Sequence, residues 1–214
     1  VDKGGSVTLT ANPNTEDYEF IGWYNVSDNT LIDGSNTTLN ITNLQNPINY
    51  YAVFNSKTFV LKAYAATNGE KGNATGGTVR FDSETTSSAY TTVTVKYKDT
   101  ATFVAVVNET DGYEFKGWYS DEACTNCVTT ELTYTADKNT EYKTMYAKFV
   151  LKKYDATAVA VTNGIENKST GGTVKVTADG VTTAAGATVT TKVTHGTDAK
   201  FTATVSSGYN FVGW

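Results

Sequence analysis

The stretch Tyr113-Glu114-Phe115-Lys116-Gly117-Trp118 is the most informative part of the sequence, because the chain contains it three times in closely related form. The other two copies are Tyr18-Glu19-Phe20-Ile21-Gly22-Trp23 and Tyr209-Asn210-Phe211-Val212-Gly213-Trp214. Their tryptophans lie 95 residues (23 to 118) and 96 residues (118 to 214) apart. A fixed period of this kind is typical of a tandem array of like modules. The chain is therefore predicted to be a repeat protein.

Two further landmarks keep the same period. Tyr51-Ala52-Val53-Phe54 recurs as Tyr146-Ala147-Lys148-Phe149, and Thr75-Gly76-Gly77-Thr78-Val79 recurs as Thr170-Gly171-Gly172-Thr173-Val174. Together with the aromatic stretch, these landmarks align each residue of one module with an equivalent residue of the next.

These landmarks predict how the modules divide the chain. One complete module spans residues 55–149, the later part of a module spans residues 1–54, and the earlier part of another spans residues 150–214. Because the chain begins and ends inside the period, we expect it to be a piece of a longer protein.

Apolar and polar residues alternate along most of each module. In Thr92–Tyr97, the apolar residues Val93, Val95 and Tyr97 fall on one face of a strand. Helical spacing of apolar residues is nearly absent. Each module is therefore predicted to contain about six or seven short strands, as in a small all-β domain.

The strands can be placed along the complete module. Phe59–Ala65 and Val79–Phe81 flank a turn-rich segment and are predicted to pair with each other. Further strands are predicted at Ala101–Val107, Leu132–Thr135 and Thr144–Phe149.

The joints between modules are predicted to be short. About five residues separate Phe54 from Phe59, and about five separate Phe149 from Tyr154. Linkers of this length restrict the angle between neighbouring modules, so the predicted overall shape is an elongated rod.

Composition excludes several classes of partner. The net charge of −5 and the pI near 4.9 argue against a nucleic-acid partner, since phosphate neutralisation needs clustered Lys and Arg. No apolar run is long enough to span a bilayer, so direct membrane insertion is not expected.

The aromatic residues of the repeated stretch allow two interpretations. The favoured one is that they form the core of each module, because one large ring per repeat in a fixed motif is what packing alone produces. This predicts burial of Phe20, Trp23, Phe115, Trp118, Phe211 and Trp214. The alternative is that these aromatics, together with the adjacent Tyr24 and Tyr119, form stacking platforms for sugars, with the two tyrosines as the candidate binding surface.

The two cysteines have the spacing of a redox or half-zinc motif, Cys124-Thr125-Asn126-Cys127. A tetrahedral zinc site needs two further ligands, and His195, expected to be a solvated turn residue, is the only histidine. Two alternatives stay open for these cysteines, a local disulfide and a reduced pair without a role. No metal, cofactor or catalytic residue is expected.

The order of these motifs resembles the divergent internalin B-type repeats, the Listeria–Bacteroides repeat group. The matching stretches include Gly76-Gly77-Thr78-Val79, Gly112–Tyr119 and Tyr146-Ala147-Lys148-Phe149. The resemblance implies extracellular modules of large bacterial surface proteins, with a compact β-grasp-like fold and no catalytic residues. Because the period is longer than is usual in this group, an elaborated β-grasp and a β-sandwich both stay open.

The leading functional hypothesis is a non-catalytic stalk that holds another domain away from a bacterial cell surface. The alternative is an adhesin module that binds a glycan, mucin or a host surface protein. Neighbouring repeats are the expected partners. Head-to-tail self-association is also conceivable, because residues 150–214 lack the final strands that residues 24–54 supply.

Overall fold

The computed structural model describes every residue from Val1 to Trp214. It contains 21 strands and no helix, which confirms the prediction of a mostly β fold. The chain accordingly has no helix of the length and apolarity that a membrane crossing requires.

The strands fall into three consecutive groups. The first group is β1 (Val7–Thr10), β2 (Tyr18–Asn25), β3 (Leu31–Asp33), β4 (Thr38–Ile41) and β5 (Tyr50–Ser56). The central group is β6 (Thr58–Thr67), β7 (Glu70–Lys71), β8 (Gly77–Phe81), β9 (Tyr90–Lys96), β10 (Ala101–Val107), β11 (Tyr113–Tyr119), β12 (Cys127–Thr129), β13 (Thr133–Ala136) and β14 (Thr144–Leu151). The third group is β15 (Lys153–Val159), β16 (Val161–Thr162), β17 (Ile165–Glu166), β18 (Gly172–Ala178), β19 (Val181–Thr182), β20 (Thr188–Thr194) and β21 (Ala199–Val205).

The central group forms two sheets. The larger sheet has the order β12-β11-β14-β6-β7, with β9 also paired to β6, and the smaller sheet has the order β13-β10-β8. β6 and β14 run parallel, with Tyr64 beside Tyr146, whereas the other pairs are antiparallel. All of these strands pair with one another and with no strand of the other groups.

A single core lies between the two sheets. Alternate residues of each strand point inward, as strand geometry requires, and both sheets contribute fully buried rings, among them Phe81, Phe103, Trp118 and Phe149. The Trp118 indole N–H donates to the carbonyl oxygen of Leu132 at 3.2 Å. Two sheets facing one another across a shared core form a sandwich, which is the second of the two predicted fold types.

The predicted pairing of the strands on either side of the Asn68–Gly76 turn segment is wrong. β6 and β8 lie in opposite sheets, because the sides of β6 are occupied by β9 and β14 while β8 pairs with β10. The chain changes sheets at Gly76-Gly77, directly beneath Phe149. A Cβ atom on Gly76 would lie 2.6 Å from the Phe149 Cβ, so the crossing requires glycine.

The first and third groups are partial copies of the central one. β1–β5 correspond in order and pairing to β10–β14, and β15–β21 correspond to the strands from β6 to β10. Residues 209–214, the third copy of the aromatic stretch, form no strand. In the central group the equivalent strand β11 is paired with β14, and residues 150–214 contain no counterpart of β14.

The repeated tryptophans differ in exposure. Trp118 is 0% exposed and Trp23 is 6% exposed, whereas Trp214, the last residue of the sequence, is 70% exposed. Phe211 is exposed as well. The assignment of the six aromatic residues to the module core stays a prediction of the sequence.

The three groups follow one another in a row. The first group meets the central one beside the start of β6 and the end of β9, which are neighbours in the sheet. The third group meets the central one beside the end of β14. Because β14 runs parallel to β6, this point lies at the opposite end of the strands from the start of β6. The first and third groups are thus attached at opposite ends of the central one, and the elongated rod stays a prediction of the sequence.

Candidate functional site

The joints between groups are built from backbone hydrogen bonds that occur twice. At the first joint, the Lys57 N–H donates to the Asp17 carbonyl at 2.8 Å, and the Tyr97 N–H donates to the Lys57 carbonyl at 2.9 Å. A single residue, Lys57, separates β5 from β6. The linker is therefore itself hydrogen-bonded to both of the groups that it connects.

The second joint repeats this arrangement. The Lys152 N–H donates to the Gly112 carbonyl at 2.8 Å, and the His195 N–H donates to the Lys152 carbonyl at 2.8 Å. Lys152 is the only residue between β14 and β15. The joints are thus shorter than the predicted five residues, whereas the module boundaries at 54/55 and 149/150 remain predictions of the sequence.

Charged side chains reinforce the first joint. Lys138 forms ion pairs with Asp17 and, at 3.1 Å, with Glu16. The hydrogen bond from Lys138 to Asp17, followed by that to Glu16, raises the pKa of the Lys138 ammonium. Lys98 Nζ lies 5.0 Å from the ring centroid of Tyr18, within the range of a cation–π interaction.

His195 lies in a turn at the second joint, as the sequence suggests, but it is half-buried rather than fully solvated. A Cβ atom on Gly112, whose φ is +78°, would lie 2.1 Å from the His195 Cδ2, so only glycine leaves room for the imidazole. The His195 ring centroid is 6.1 Å from that of Tyr154. At the first joint, the ring centroid of Tyr97 is likewise 6.0 Å from that of Phe59. His195 therefore takes the structural place of Tyr97.

A row of four tyrosines crosses the outer face of the larger central sheet. Tyr90, Tyr64, Tyr146 and Tyr119 lie on the neighbouring strands β9, β6, β14 and β11, and each is the direct register partner of the next. We call these four residues the tyrosine row. The sequence shows each of them in the outward phase of its strand, but only the sheet order brings them side by side.

Three of the four rings of the tyrosine row pack against one another. The ring centroids of Tyr64 and Tyr90 are 4.5 Å apart, and those of Tyr64 and Tyr146 are 5.4 Å apart with an interplanar angle of 15°. The Lys148 ammonium lies 5.1 Å from the Tyr119 centroid. Burial raises the pKa of the Tyr119 and Tyr146 phenols. Tyr64 therefore packs between Tyr90 and Tyr146, and sugar binding by Tyr119 stays a prediction.

The other predicted binding residue, Tyr24, occupies the equivalent position in the first group. It stacks on Tyr51 with a centroid distance of 5.7 Å and an interplanar angle of 24°. Tyr24 and Tyr51 correspond to Tyr119 and Tyr146, so the structure places both candidate tyrosines in cross-strand aromatic pairs. Such pairs stabilise a sheet.

Cys124 lies in the loop between β11 and β12, and Cys127 is the first residue of β12. Both are free thiols. The Asp121 carboxylate organises this loop by accepting hydrogen bonds from the backbone N–H groups of Thr125 and Asn126. Cys124 is buried with a φ of +52°, and Lys148 donates to its carbonyl at 3.1 Å. Burial raises the pKa of the Cys124 thiol, an effect that the nearby Lys148 charge opposes. Cys127 is exposed.

We expect a thiol reagent to distinguish the two cysteines. Because the thiolate is the reactive form, at about pH 8 Cys127 should be alkylated at least about tenfold faster than the buried Cys124, whose pKa is raised. Peptide mapping over time measures both rates. Cys127→Ser should remove the fast phase and Cys124→Ser should retain it. Equal rates in the folded protein would contradict the placement of Cys124, and a failure of both to react without reductant would indicate the disulfide.

The structure contains no cluster of three or more His, Cys, Asp or Glu side chains suited to hold a metal ion. A cleft of about 520 Å³ lies in the third group between β16, β18 and the aromatic residues 209–214. The joint hydrogen bonds and the tyrosine row were not recognisable in the sequence, since both depend on contacts between residues far apart in the chain.

Comparisons with known proteins support the repeat interpretation. Residues 1–52 and 78–148 match the Listeria-Bacteroides repeat domain, and residues 173–214 match the divergent InlB B-repeat domain. No curated protein matches the chain.

Among solved structures, the Bacillus anthracis TIE protein is similar at 11% identity and a TM-score of 0.40, over 96% of this chain and 46% of that one. The chain thus spans less than half the length of that protein. With more than half of its residues matched to one family, the chain belongs to the Listeria-Bacteroides repeat domain family.

Proposed function

We propose that the chain is a non-catalytic stalk segment of a large bacterial surface or secreted protein, located outside the cell. One observation carries the proposal: the two joints repeat the same pair of backbone hydrogen bonds around a single linking residue. A joint that is hydrogen-bonded to both neighbouring groups holds them at a fixed angle. An array of such joints keeps a constant length, as a spacer must.

Two further observations support the stalk. The chain consists of repeat domains of the kind that occurs in bacterial surface proteins. In addition, Tyr64 packs against both Tyr90 and Tyr146 on neighbouring strands, an arrangement that stabilises a sheet.

Distance measurements across the first joint test the proposal. Spin labels at Leu31 and Leu132, which are both exposed, would be attached through cysteines in a Cys124→Ser, Cys127→Ser background. We expect a narrow distance distribution by pulsed electron resonance. Insertion of Gly-Gly-Ser-Gly after Lys57 should broaden it, because a flexible linker releases the angle. A distribution in the parent chain as broad as in the insertion variant would reject a rigid stalk.

The adhesin alternative is favoured by the tyrosine row itself. A continuous aromatic row on an outer face, with Tyr90 41% exposed and the Lys71–Glu122 ion pair beside it, offers polar and apolar contacts to a glycan or a host protein. The full chain would be tested against a panel of glycans, mucins and host matrix proteins. Specific binding that is lost in Tyr90→Ala, with thermal stability retained, would identify an adhesin.

We expect Tyr119→Ala to lower the free energy of unfolding of the central group by about 0.5–1 kcal/mol, because it removes one cross-strand aromatic partner of Tyr146 and the Lys148 contact. Chemical denaturation followed by fluorescence measures the change. Tyr119→Phe is the matched control and should keep most of the stability. If Tyr119→Ala abolishes binding to a panel member while leaving stability unchanged, the row is a binding surface and its structural role is secondary.

A further inference from the structure

The outer face of the larger central sheet carries an excess of positive charge. The outward side chains of β6 and β9 include no acidic residue and are Thr58, Val60, Lys62, Tyr64, Tyr90, Thr92, Thr94 and Lys96. On the neighbouring strand β14, Lys148 points to the same face. Lys62, Lys96 and Lys148 form no ion pair with a carboxylate. This face is therefore cationic, although the whole chain has a net charge of −5.

The glutamates beside this face do not neutralise these three lysines. Glu122 pairs with Lys71 at 2.7 Å, and Glu114 pairs with Lys116 at 2.8 Å. Each glutamate is thus matched by a lysine of its own. The positive charge of Lys62, Lys96 and Lys148 remains available to an anionic partner.

The three unpaired lysines lie on a straight diagonal across neighbouring strands, which we call the lysine diagonal. Lys96 on β9 is the register partner of Thr58 on β6. Lys148 on β14 is the register partner of Ala66 on β6, and Lys62 lies midway between these two positions. Each step is four residues along the strands and one strand across, so successive Cα atoms are roughly 14 Å apart. The diagonal spans roughly 28 Å, which suits an extended polymer better than a single small anion.

The tyrosine row crosses the lysine diagonal between Lys62 and Lys148. Tyr64 lies two residues beyond Lys62 on β6, and Tyr90, its register partner, is 41% exposed. Thr94, on the same face, is exposed as well. Aromatic rings cover the apolar face of a sugar, threonine hydroxyls exchange hydrogen bonds with sugar hydroxyls, and ammonium groups pair with acid groups. The face thus combines the three kinds of contact that an acidic polysaccharide can make.

The fold does not require this set of side chains. In the third group, β15 and β20 pair in the same register as β6 and β9. Four side chains of the central face are replaced there by smaller, uncharged ones: Lys62 by Thr157, Tyr64 by Val159, Tyr90 by Thr188 and Lys96 by Thr194. Lys192 of the third group instead pairs with Asp155 at 2.9 Å. The cationic and aromatic side chains are therefore particular to the central group, although both groups form the same strand pair.

We propose that the outer face of the larger central sheet binds an acidic polysaccharide, whose acid groups pair with the lysine diagonal and whose sugar rings lie over the tyrosine row. Carboxylate and sulfate groups both suit the lysines. A polysaccharide is favoured over an acidic peptide, because the aromatic rings and hydroxyls between the lysines match sugar rings. The inference rests on the adhesin alternative and goes beyond the stalk, since a spacer can carry a binding face.

Binding of the full 214-residue chain to four polymers tests the proposal. Heparin presents mainly sulfates, hyaluronan presents carboxylates, dextran is neutral, and poly-glutamate is acidic without sugar rings. At about 50 mM salt, we expect calorimetry to detect binding of heparin or hyaluronan but not of dextran. Raising the salt to about 200 mM should weaken the binding roughly threefold or more, because salt screens exposed charges.

Reversal of two charges of the lysine diagonal should weaken the binding. Lys62→Glu combined with Lys96→Glu is expected to raise the Kd at least about tenfold, because repulsion replaces attraction at both positions. Neither lysine forms an ion pair in the chain, so folding should be retained. Lys153→Glu combined with Lys192→Glu is the matched control. It changes the net charge equally on the equivalent face of the third group and should leave the Kd within about twofold.

The aromatic part of the face is tested by Tyr90→Ala, which should raise the Kd for the acidic polysaccharide by about fivefold. A chain that binds neither heparin nor hyaluronan up to about 1 mM has no such face. Equal binding of dextran would keep a glycan-binding adhesin but reject the role of the lysines. An equal loss in the third-group control would reduce the effect to net charge. Preferred binding of poly-glutamate, unchanged in Tyr90→Ala, would indicate an acidic protein partner instead.

The stalk proposal stands or falls separately. Its test measures a distance across a joint within one chain, far from the substituted face. A narrow distance distribution without polysaccharide binding would keep the stalk and reject this inference. A broad distribution with binding that depends on Lys62 and Lys96 would keep the inference and reject the rigid stalk.

Discussion

Replacing Trp118 with alanine is expected to lower the free energy of unfolding of the central group by about 3–5 kcal/mol, a large fraction of the stability of a typical domain. The indole is fully buried, with its ring centroid 5.5 Å from that of Phe103 and 6.0 Å from that of Phe115. Its loss leaves a cavity between the two sheets and a Leu132 carbonyl without its donor. Thermal and chemical denaturation of the full chain measure the effect.

The other two tryptophans are the controls for this prediction. Trp214→Ala should change stability by less than about 1 kcal/mol at low protein concentration, because its side chain is largely exposed. Trp23→Ala should fall between the two, since Trp23 is buried but its indole nitrogen has no hydrogen-bond partner. Equal losses at all three positions would contradict the structure, because the sequence motif alone does not distinguish them.

Replacing Phe149 with alanine is expected to cost about 3–5 kcal/mol as well. Phe149 packs over Gly76-Gly77, where the chain passes from one sheet to the other, with its ring against Gly77. Its ring centroid is 5.7 Å from that of Phe115. The loss should appear in the unfolding of the central group, as a shift of the denaturation midpoint without a change in the groups on either side.

Phe54→Ala is the matched substitution in the first group. Phe54 contacts Phe20 at a centroid distance of 5.9 Å but is 38% exposed, so at low concentration its loss should cost roughly 1 kcal/mol. Equal losses for Phe54→Ala and Phe149→Ala would contradict the structure, because only Phe149 is fully buried.

Much of the secondary structure could be predicted from the sequence because it is local. The alternation in Thr92–Tyr97 places β9 within two residues of its observed bounds, and Ala101–Val107 matches β10. Strand alternation also predicts which side chains turn inward, and Trp118 and Phe149 are indeed buried. The period identified the repeats, because each module needs the same core positions.

Strand pairing could not be predicted, because it depends on residues far apart in the chain. Phe59–Ala65 and Val79–Phe81 are adjacent in sequence and look like a hairpin, yet β6 pairs instead with β14, some eighty residues onward, and lies in the opposite sheet to β8. The tyrosine row and the joint hydrogen bonds are consequences of that long-range pairing.

Local alternation and periodic recurrence are enough to predict the repeat and the β class, because both are visible along the chain. Only the tertiary structure shows which strands become neighbours and which side chains therefore meet. Tyr64 and Tyr146 are far apart in the chain and lie side by side because β6 pairs with β14. Burial is a property of the whole sheet, because a side chain is removed from water only when the strands around it are in place.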